Sequence, residues 1–490
     1  MARIEPLDIL HQYFGFPSFR GAQEKIIRRL VDSQNGEEPN GAGHCLVLMP
    51  TGAGKSLCYQ VPALCFEGGT LVLSPLIALM QDQVDALRKK NIPASFINAT
   101  VSAEDKEARL QQFLDGNIKM LYVTPERFRK PEFVEKIKTA NISLLAVDEA
   151  HCISEWGHDF RPDYSRIGEF RELIGNPLTI ALTATATPQV QEDIIDKLHV
   201  DPADTQVFHQ GIERPNLRLE ARDVISEEEK LAAILYAINT YPGSGIIYFS
   251  LIKSLEYYSD ILRRKGIRHG IYHGKLEANQ RKRMQRRFIE GENTLVLATN
   301  AFGMGIDKPD IRYVVHAEVP GSLEAYYQEI GRAGRDGLPS LCLLLYGQND
   351  LATQMEFIKW SNPQPHFYDR LFGLIYENPA AANSMGSDYL REQLNFKNRH
   401  DFRLETALNM LDRYGVTEGA LEEQNLRILR ELPEALLDEE RYREKLKNDQ
   451  LKLLSMVQYF RTEECRRVFI SEYFGFSDEP PCGNCDRCNF

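Results

Sequence analysis

The sequence predicts an α/β protein with two tandem parallel-sheet domains, followed by a helical insertion and a small four-cysteine module. Three observations carry this. Apolar runs of strand length alternate with helical patterns, the mark of a parallel sheet covered by helices. The series ends around Pro202–Pro215 and starts again, which makes two sheets, and four of the nine cysteines fall in the last 26 of 490 residues. The boundaries read as 1–208, 209–348, 349–450 and 451–490, and at ~150 residues per domain the length agrees with about three domains.

The N-terminal stretch LHQYFGFPSFRGAQEKII opens with aromatics and runs into a helical pattern containing Gln23. Gln23 offers a donor and an acceptor that match an adenine edge, and Phe16 a stacking face; a packed N-terminal helix is the plainer alternative. Val31–Gly43 is polar and glycine-rich and reads as a surface loop. The apolar run His44–Leu48 reads as a buried strand, and after it comes MPTGAGKS, Met49–Ser56, leading into a helical pattern. Strand, glycine turn, helix is a phosphate-binding layout. Gly52 and Gly54 let the backbone of Thr51–Ser56 curl with its N–H groups inward, Ala53 lying between them. Lys55 can reach the β and γ phosphates, and the Ser56 hydroxyl can ligate Mg²⁺. The strict GxxxxGK[ST] spacing wants glycine where this chain has Met49, so Gly52 must supply the flexibility.

Three further strands are expected at Thr70–Leu73, Lys119–Val123 and Ile142–Val147. Ligands sit at the carboxyl ends of parallel strands, so the loops Ser74–Leu76 and Thr124–Glu126 are placed to touch a substrate. The third strand runs into Asp148-Glu149-Ala150-His151. A buried acidic pair is costly to leave unpaired; Asp148 would hold Mg²⁺ through water, and Glu149 would orient and deprotonate an attacking water. In the next segment, CISEWGHDFRPDY, Trp156, His158, Phe160, Arg161 and Tyr164 crowd together. Aromatic faces stack on unpaired bases and arginine adds phosphate contact; local core packing is the alternative. Leu178–Leu182 makes another strand, ending in Thr183-Ala184-Thr185, whose hydroxyls could relay the state of a triphosphate.

The second series predicts strands at Ile246–Phe249, Ile271–His273, Thr294–Ala298, Tyr313–Ala317 and Leu341–Tyr346. In the helical run Asn279–Phe288, Met284 and Phe288 would face the core and leave a basic outer face. Two dense motifs follow, ATNAFGMGIDKPD and YYQEIGRAGRDG. Arg332 and Arg335, three apart, can point the same way from one turn and suit a γ phosphate in transfer.

Composition limits the function. A formal net charge of −12 gives no support to a simple polyanion binder, since such proteins carry a surplus of Lys and Arg; nucleic-acid contact must use local patches. The N-terminus lacks the parts of a signal peptide and no apolar run approaches ~18 residues, so a cytoplasmic protein without membrane contact is expected. Cys45, Cys58, Cys65, Cys152 and Cys342 are scattered and read as reduced, mostly buried side chains.

With FRGAQ, MPTGAGKS, SPLIALMQDQV, DEAHCISEWGHDFRPDY, ALTATAT, ATNAFGMGIDKPD and QEIGRAGRDG in this order, the chain resembles superfamily 2 helicases, and among them the RecQ family of 3′→5′ DNA helicases. The match covers Phe14 to about Tyr346 and resumes from about Leu451. The resemblance implies two RecA-like domains, with Phe16, Arg20 and Gln23 holding adenine, although Gly21-Ala22 replaces the family's Pro-Gly. It further implies that Lys55 and Ser56 hold phosphate and Mg²⁺, that Asp148 and Glu149 serve hydrolysis, and that Arg332 and Arg335 complete the site. Ala53 stands in place of a third glycine. The aromatic segment matches the family's loop that senses single-stranded DNA, which favours Trp156, His158, Phe160 and Arg161 as DNA contacts, with Thr183 and Thr185 coupling them to hydrolysis. Implied partners are ATP, single-stranded DNA, tailed or forked duplexes, and single-strand-binding and repair proteins, near the nucleoid in a bacterium. A translocase or nucleotide switch that does not separate strands, or an RNA helicase, is the alternative.

Cys465, Cys482, Cys485 and Cys488 give C-x16-C-x2-C-x2-C, and four thiolates suit a closed, structural Zn²⁺ site as in the RecQ zinc subdomain. Departing from that family, about a hundred residues, Asn349–Gln450, intervene before the cysteines. There, SDYLREQLNF and FRLETALNMLDRYGVTEG read as short helices and Ala435–Leu454 as a longer charged one. A helical spacer is expected, with a winged helix moved ahead of the zinc site as the alternative. The family's winged helix after the zinc site is not in this sequence, as in a chain cut short there, so no duplex or junction preference carries over.

Overall fold

The computed structural model describes residues 5–36, 43–50, 52–157, 159–209, 214–303, 306–394, 401–477 and 479–488. The first sheet holds β1 (His44–Leu48), β2 (Gly69–Leu73), β3 (Ala94–Ile97), β4 (Met120–Val123), β5 (Ile142–Asp148), β6 (Leu178–Thr183) and β7 (Thr205–His209). All pairings are parallel, in the order β3-β4-β2-β5-β6-β1-β7. β1 is buried throughout, and its alternate residues feed two cores: Cys45 and Val47 pack with Ile26 and Leu30 of the helix Gln23–Gln34, Leu46 and Leu48 with Leu71 and Val147. Burial on both faces explains why the strand reads as an unbroken apolar run.

The second sheet holds β8 (Leu217–Val224), β9 (Ser244–Tyr248), β10 (Gly270–Tyr272), β11 (Leu295–Ala298), β12 (Ile311–His316) and β13 (Ser340–Gly347). It too is parallel, ordered β10-β11-β9-β12-β13-β8. β3, β7 and β8 have no counterpart among the expected strands. Each lies at a sheet edge, and β7 and β8 carry polar residues at the positions that face water, so neither presents an apolar run. The helix Ala278–Ile289 buries Phe288, half-buries Met284 and turns its arginines outward, as its spacing predicts.

Between the second sheet and the cysteines lie the helices Asp350–Ser361, Pro365–Glu377, Pro379–Gln393 and Arg403–Arg413, then an antiparallel pair, β14 (Thr417–Glu418) and β15 (Arg427–Ile428). Phe367, Leu371, Ile375, Leu390, Leu404 and Leu411 give this unit a core of its own. The long charged helix runs over Glu439–Arg461, starting where the Asp438 carboxylate accepts from the Glu440 and Arg441 N–H groups. Among the described residues no helix is long and apolar enough to cross a membrane.

Two buried histidines make the first domain acid-sensitive. His44 Nδ1 accepts from the Thr179 N–H at 3.1 Å while the Arg171 guanidinium stands 3.1 Å from Nε2, so an added proton finds no acceptor. Burial, then Arg171, lowers His44 to about 4, and burial lowers His151 to about 4. A histidine depressed on folding stabilises fully above its unfolded value near 6.5 and loses that contribution as pH falls toward 4. Each is expected to cost ~1.4 kcal/mol per pH unit over that window. Urea unfolding at pH 7 and pH 5 measures it, and His44→Gln should make the loss shallower.

Candidate functional site

The central strands of the first sheet deliver the chemistry. β5, β6 and β1 are adjacent, so the loops from their carboxyl ends bring Glu149, Thr183 and the phosphate loop to one rim. Thr51 lies outside the described residues. Gly52 and Gly54 both have φ +82°, in the left-handed region that side chains rarely adopt. A Cβ on Gly54 would also meet Gln23 Nε2 at 2.5 Å. Gln23 is 2% exposed and donates to the carbonyls of Ala53 (3.1 Å) and Gly54 (3.2 Å), while its Oε1 accepts from the Arg20 N–H at 2.9 Å. Its amide thus ties the N-terminal turn to the phosphate loop. Phe16 is 41% exposed with Arg20 over its ring at 5.9 Å, an open face beside the loop.

Lys55 donates to the Met49 carbonyl at 3.1 Å, the kind of place-holding bond that a phosphate would replace. The Ser56 hydroxyl accepts from Gln83 Nε2 at 2.9 Å. Gln83 lies in the SPLIALMQDQV motif and was not singled out from sequence, because nothing local shows that it reaches back to β1. Asp148 is buried; burial first and the Glu149 carboxylate next push it up to about 7, against the pull of Lys55. Glu149 sits at φ 50°, ψ 47°, a strained conformation for its type. Its Oε2 is 3.4 Å from His151 Nδ1, which stands 3.0 Å from Thr183 Oγ1. Thr183 in turn accepts from the Thr185 N–H at 3.2 Å, and its carbonyl accepts from Met49 N–H at 3.1 Å, so the acidic loop, the threonines and the phosphate loop are one hydrogen-bonded unit. A hydroxyl and a buried carboxylate are the hard oxygen donors that a small divalent cation takes.

The second domain completes the cleft. A Cβ built on Gly52 would lie 3.2 Å from Arg335 Cγ, so Arg335 rests directly over the phosphate loop. Its side chain is 11% exposed and donates to Asp307 Oδ1 at 2.6 Å, and its buried Nε has no partner among the described residues. Arg332, also buried, donates to the Gly303 carbonyl, and its Nε likewise has no partner among the described residues. Burial, with Arg332 alongside, lowers Arg335 from its ordinary value, which is the electrostatic signature of cations held ready for an anion. Replacing Lys55 with Ala is expected to cut ATP turnover roughly 10²- to 10³-fold with the fold intact; steady-state hydrolysis and a thermal melt check it, and wild-type turnover would remove the site from this loop.

In the aromatic segment Trp156 packs against the first-domain core, while Phe160 and Arg161 line a cavity of about 900 Å³ between the two sheets and the insertion. Arg161 donates to the Pro75 carbonyl at 3.0 Å and pairs with Asp159 at 3.2 Å. His158 lies outside the described residues.

The Sγ atoms of Cys465, Cys482, Cys485 and Cys488 all lie within 4.8 Å of one another, with pairs at 3.5 to 4.0 Å. Thiolates around tetrahedral zinc, with Zn–S of ~2.3 Å, stand about 3.8 Å apart, so the set fits that ion. The knuckle is fastened to the second sheet: Asp486 N–H donates to the Leu219 carbonyl at 3.0 Å, and Ala221 N–H to Asp486 Oδ2 at 3.1 Å. Arg466, fully buried, bonds Asp486 Oδ2 at 2.9 Å and the Tyr459 carbonyl at 2.8 Å.

Two parallel sheets, with the phosphate loop in one and arginines of the other laid over it, define a two-domain helicase of superfamily 2. Residues 20–194 match the DEAD/DEAH box helicase family, 228–337 the helicase conserved C-terminal domain, and 425–489 the RecQ zinc-binding family. The chain is 37% identical over 482 residues to the ATP-dependent DNA helicase RecQ of Bacillus subtilis, covering 98% of this chain and 66% of that protein. To the probable ATP-dependent DNA helicase RecS of the same organism it is 35% identical over 489 residues, covering 98% and 91%. It therefore spans about two thirds of the length of the Bacillus RecQ. A solved structure of S. cerevisiae Dbp5 bound to RNA and ADP BeF3 is similar in fold, with TM-score 0.55 and 18% identity over 73% of this chain and 92% of that one. The chain belongs to the RecQ family, and its four cysteines, grouped as a metal site would need, lie within the span that matches the RecQ zinc-binding family.

Proposed function

We propose that this protein is an ATP-dependent DNA helicase that moves 3′→5′ along single-stranded DNA and opens tailed or forked duplexes. The observation that carries this is Arg335 resting over Gly52. A nucleotide bound there touches both domains, so hydrolysis and the angle between the sheets are linked. Phe16 stacks the adenine, with Arg20 beside it and Gln23 fixing the loop. Lys55 and the N–H groups of Gly52, Ala53 and Gly54 hold the phosphates, and Arg332 and Arg335 meet the charge that spreads over the transferring phosphoryl group. Glu149 orients the attacking water and takes its proton. Ser56 and Asp148 would hold Mg²⁺, which supplies charge neutralisation at the β and γ oxygens. Thr183 and Thr185 join this machinery to the aromatic segment, where Trp156, Phe160 and Arg161 contact the single strand. Opening one base-pair step costs ~1.4 kcal/mol, well within one hydrolysis event.

The part of the insertion from 365 to 437, three helices followed by a short antiparallel pair, we take to be winged-helix-like. From residue 365 to 437 it has eight basic against twelve acidic residues, a poor surface for a phosphate backbone. The protein would work in the cytoplasm, on nucleoid DNA in a bacterium, beside single-strand-binding and repair proteins. Strand displacement on matched duplexes with a 3′ or a 5′ tail tests the proposal. Opening of the 3′-tailed duplex alone is expected. Brisk DNA-stimulated hydrolysis with neither duplex opened would make it a translocase or switch, and stimulation by RNA alone an RNA helicase.

A further inference from the structure

We infer that the inserted helical unit is a latch on the aromatic segment, holding it in its DNA-free state and giving way when a single strand binds. The inference rests on the assignment of that segment to single-strand sensing. Three side chains from the insertion and the long helix reach across to one short stretch of the first domain. Arg441 forks onto the Glu155 carboxylate, Nε to Oε2 at 2.9 Å and Nη2 to Oε1, and Nη2 also meets Tyr414 Oη at 3.2 Å. Lys452 Nζ donates to the Gly157 carbonyl at 2.7 Å. Arg413 Nη1 donates to the Phe160 carbonyl at 3.1 Å. From the other side Arg129, paired with Asp163, donates to the carbonyl of Asp412 at 2.8 Å and to that of Arg413.

These contacts have a meaning because of where they fall. Two of them grip main-chain carbonyls, at Gly157 and Phe160, so neither of these residues can move while the contacts hold. The backbone is tight there: a Cβ on Gly157 would meet the His151 carbonyl at 2.4 Å. The segment also starts beside Glu149 and His151, so its path and the position of the hydrolytic carboxylate are mechanically joined. The insertion meanwhile roofs the cavity of about 900 Å³ at the carboxyl ends of both sheets, where Pro75, Phe160, Ser250 and Gln328 face Arg441 and Lys452. A strand laid across both sheets must enter beneath this roof. A strand that enters there competes for the segment with these contacts to its main chain, so strand binding and latch closure oppose one another.

The test is ATP turnover with and without a dT oligonucleotide, on the full chain, for Arg441→Glu, for Lys452→Met, and for Arg441→Glu combined with Glu155→Arg. Breaking the latch is expected to raise DNA-free turnover at least about 5-fold, the low end of ordinary coupling. The DNA-saturated rate should hold while half-maximal stimulation moves to lower oligonucleotide concentration, and the charge swap should restore low DNA-free turnover. A merely structural contact would lower melting temperature and both rates together. Unchanged DNA-free turnover in both Arg441→Glu and Lys452→Met, with normal stimulation, overturns the latch and leaves the helicase assignment standing. Failure of the wild-type protein to respond to the oligonucleotide would instead overturn the assignment on which the latch rests.

Discussion

Arg335→Ala is expected to lower kcat for ATP hydrolysis about 10³-fold or more, the range observed when an arginine finger is removed, with little change in KM or in melting temperature. The side chain lies over Gly52 of the phosphate loop, yet among the described residues its Nε has no partner, and its ion pair is to Asp307 at the far end. A buried guanidinium left so incompletely satisfied is placed for a ligand that arrives, and its contribution should show in the transition state rather than in ground-state binding. Arg335→Lys should recover little, since a point charge cannot reproduce the planar fork. Equal losses in kcat and in nucleotide affinity would instead make Arg335 a binding residue. Because the residue belongs to the other domain, the same variant should also lose the closure induced by a transition-state analogue such as ADP with aluminium fluoride, read by small-angle scattering.

Removal of zinc is the second large effect. Structural zinc contributes on the order of 10 kcal/mol at neutral pH, and here the ion would hold a segment that itself caps β8. The N–H of Asp486 bonds the Leu219 carbonyl and its carboxylate receives Ala221 N–H, so unfolding the knuckle uncovers the edge of the second sheet. Cys485→Ser, or dialysis against a strong chelator, should therefore lose one equivalent of metal, lower the melting temperature sharply and promote aggregation through the freed edge. Hydrolysis by molecules that stay folded should persist, because among the described residues no hydrogen bond joins the four cysteines to the phosphate loop. A Cys485→Ser protein that keeps wild-type melting would show that Arg466 and Asp486 hold the knuckle without metal.

Much of this was legible in the chain itself. Strands buried on both faces, such as β1 and β5, announce themselves as apolar runs because nothing polar can face either side. The phosphate loop, the Asp148-Glu149 pair and the four cysteines are equally local, since chemistry at those sites demands fixed residue types at fixed spacing. The edge strands β7 and β8 escaped because an edge position lets one residue in two meet water, and the apolar run disappears.

Family, two-sheet plan, nucleotide loop and cysteine cluster are written in short stretches of neighbouring residues, so the chain alone reveals them. What meets across long separations is set by the folded arrangement. It placed Arg335 on Gly52, Gln83 on Ser56, and Arg413, Arg441 and Lys452 on the aromatic segment. No local pattern encodes such pairings: an arginine on a helix reads the same whether it faces water, a phosphate or a carboxylate 286 residues away in the chain, as Arg441 does with Glu155. Packing of the domains chooses among these, and packing is a property of the whole fold.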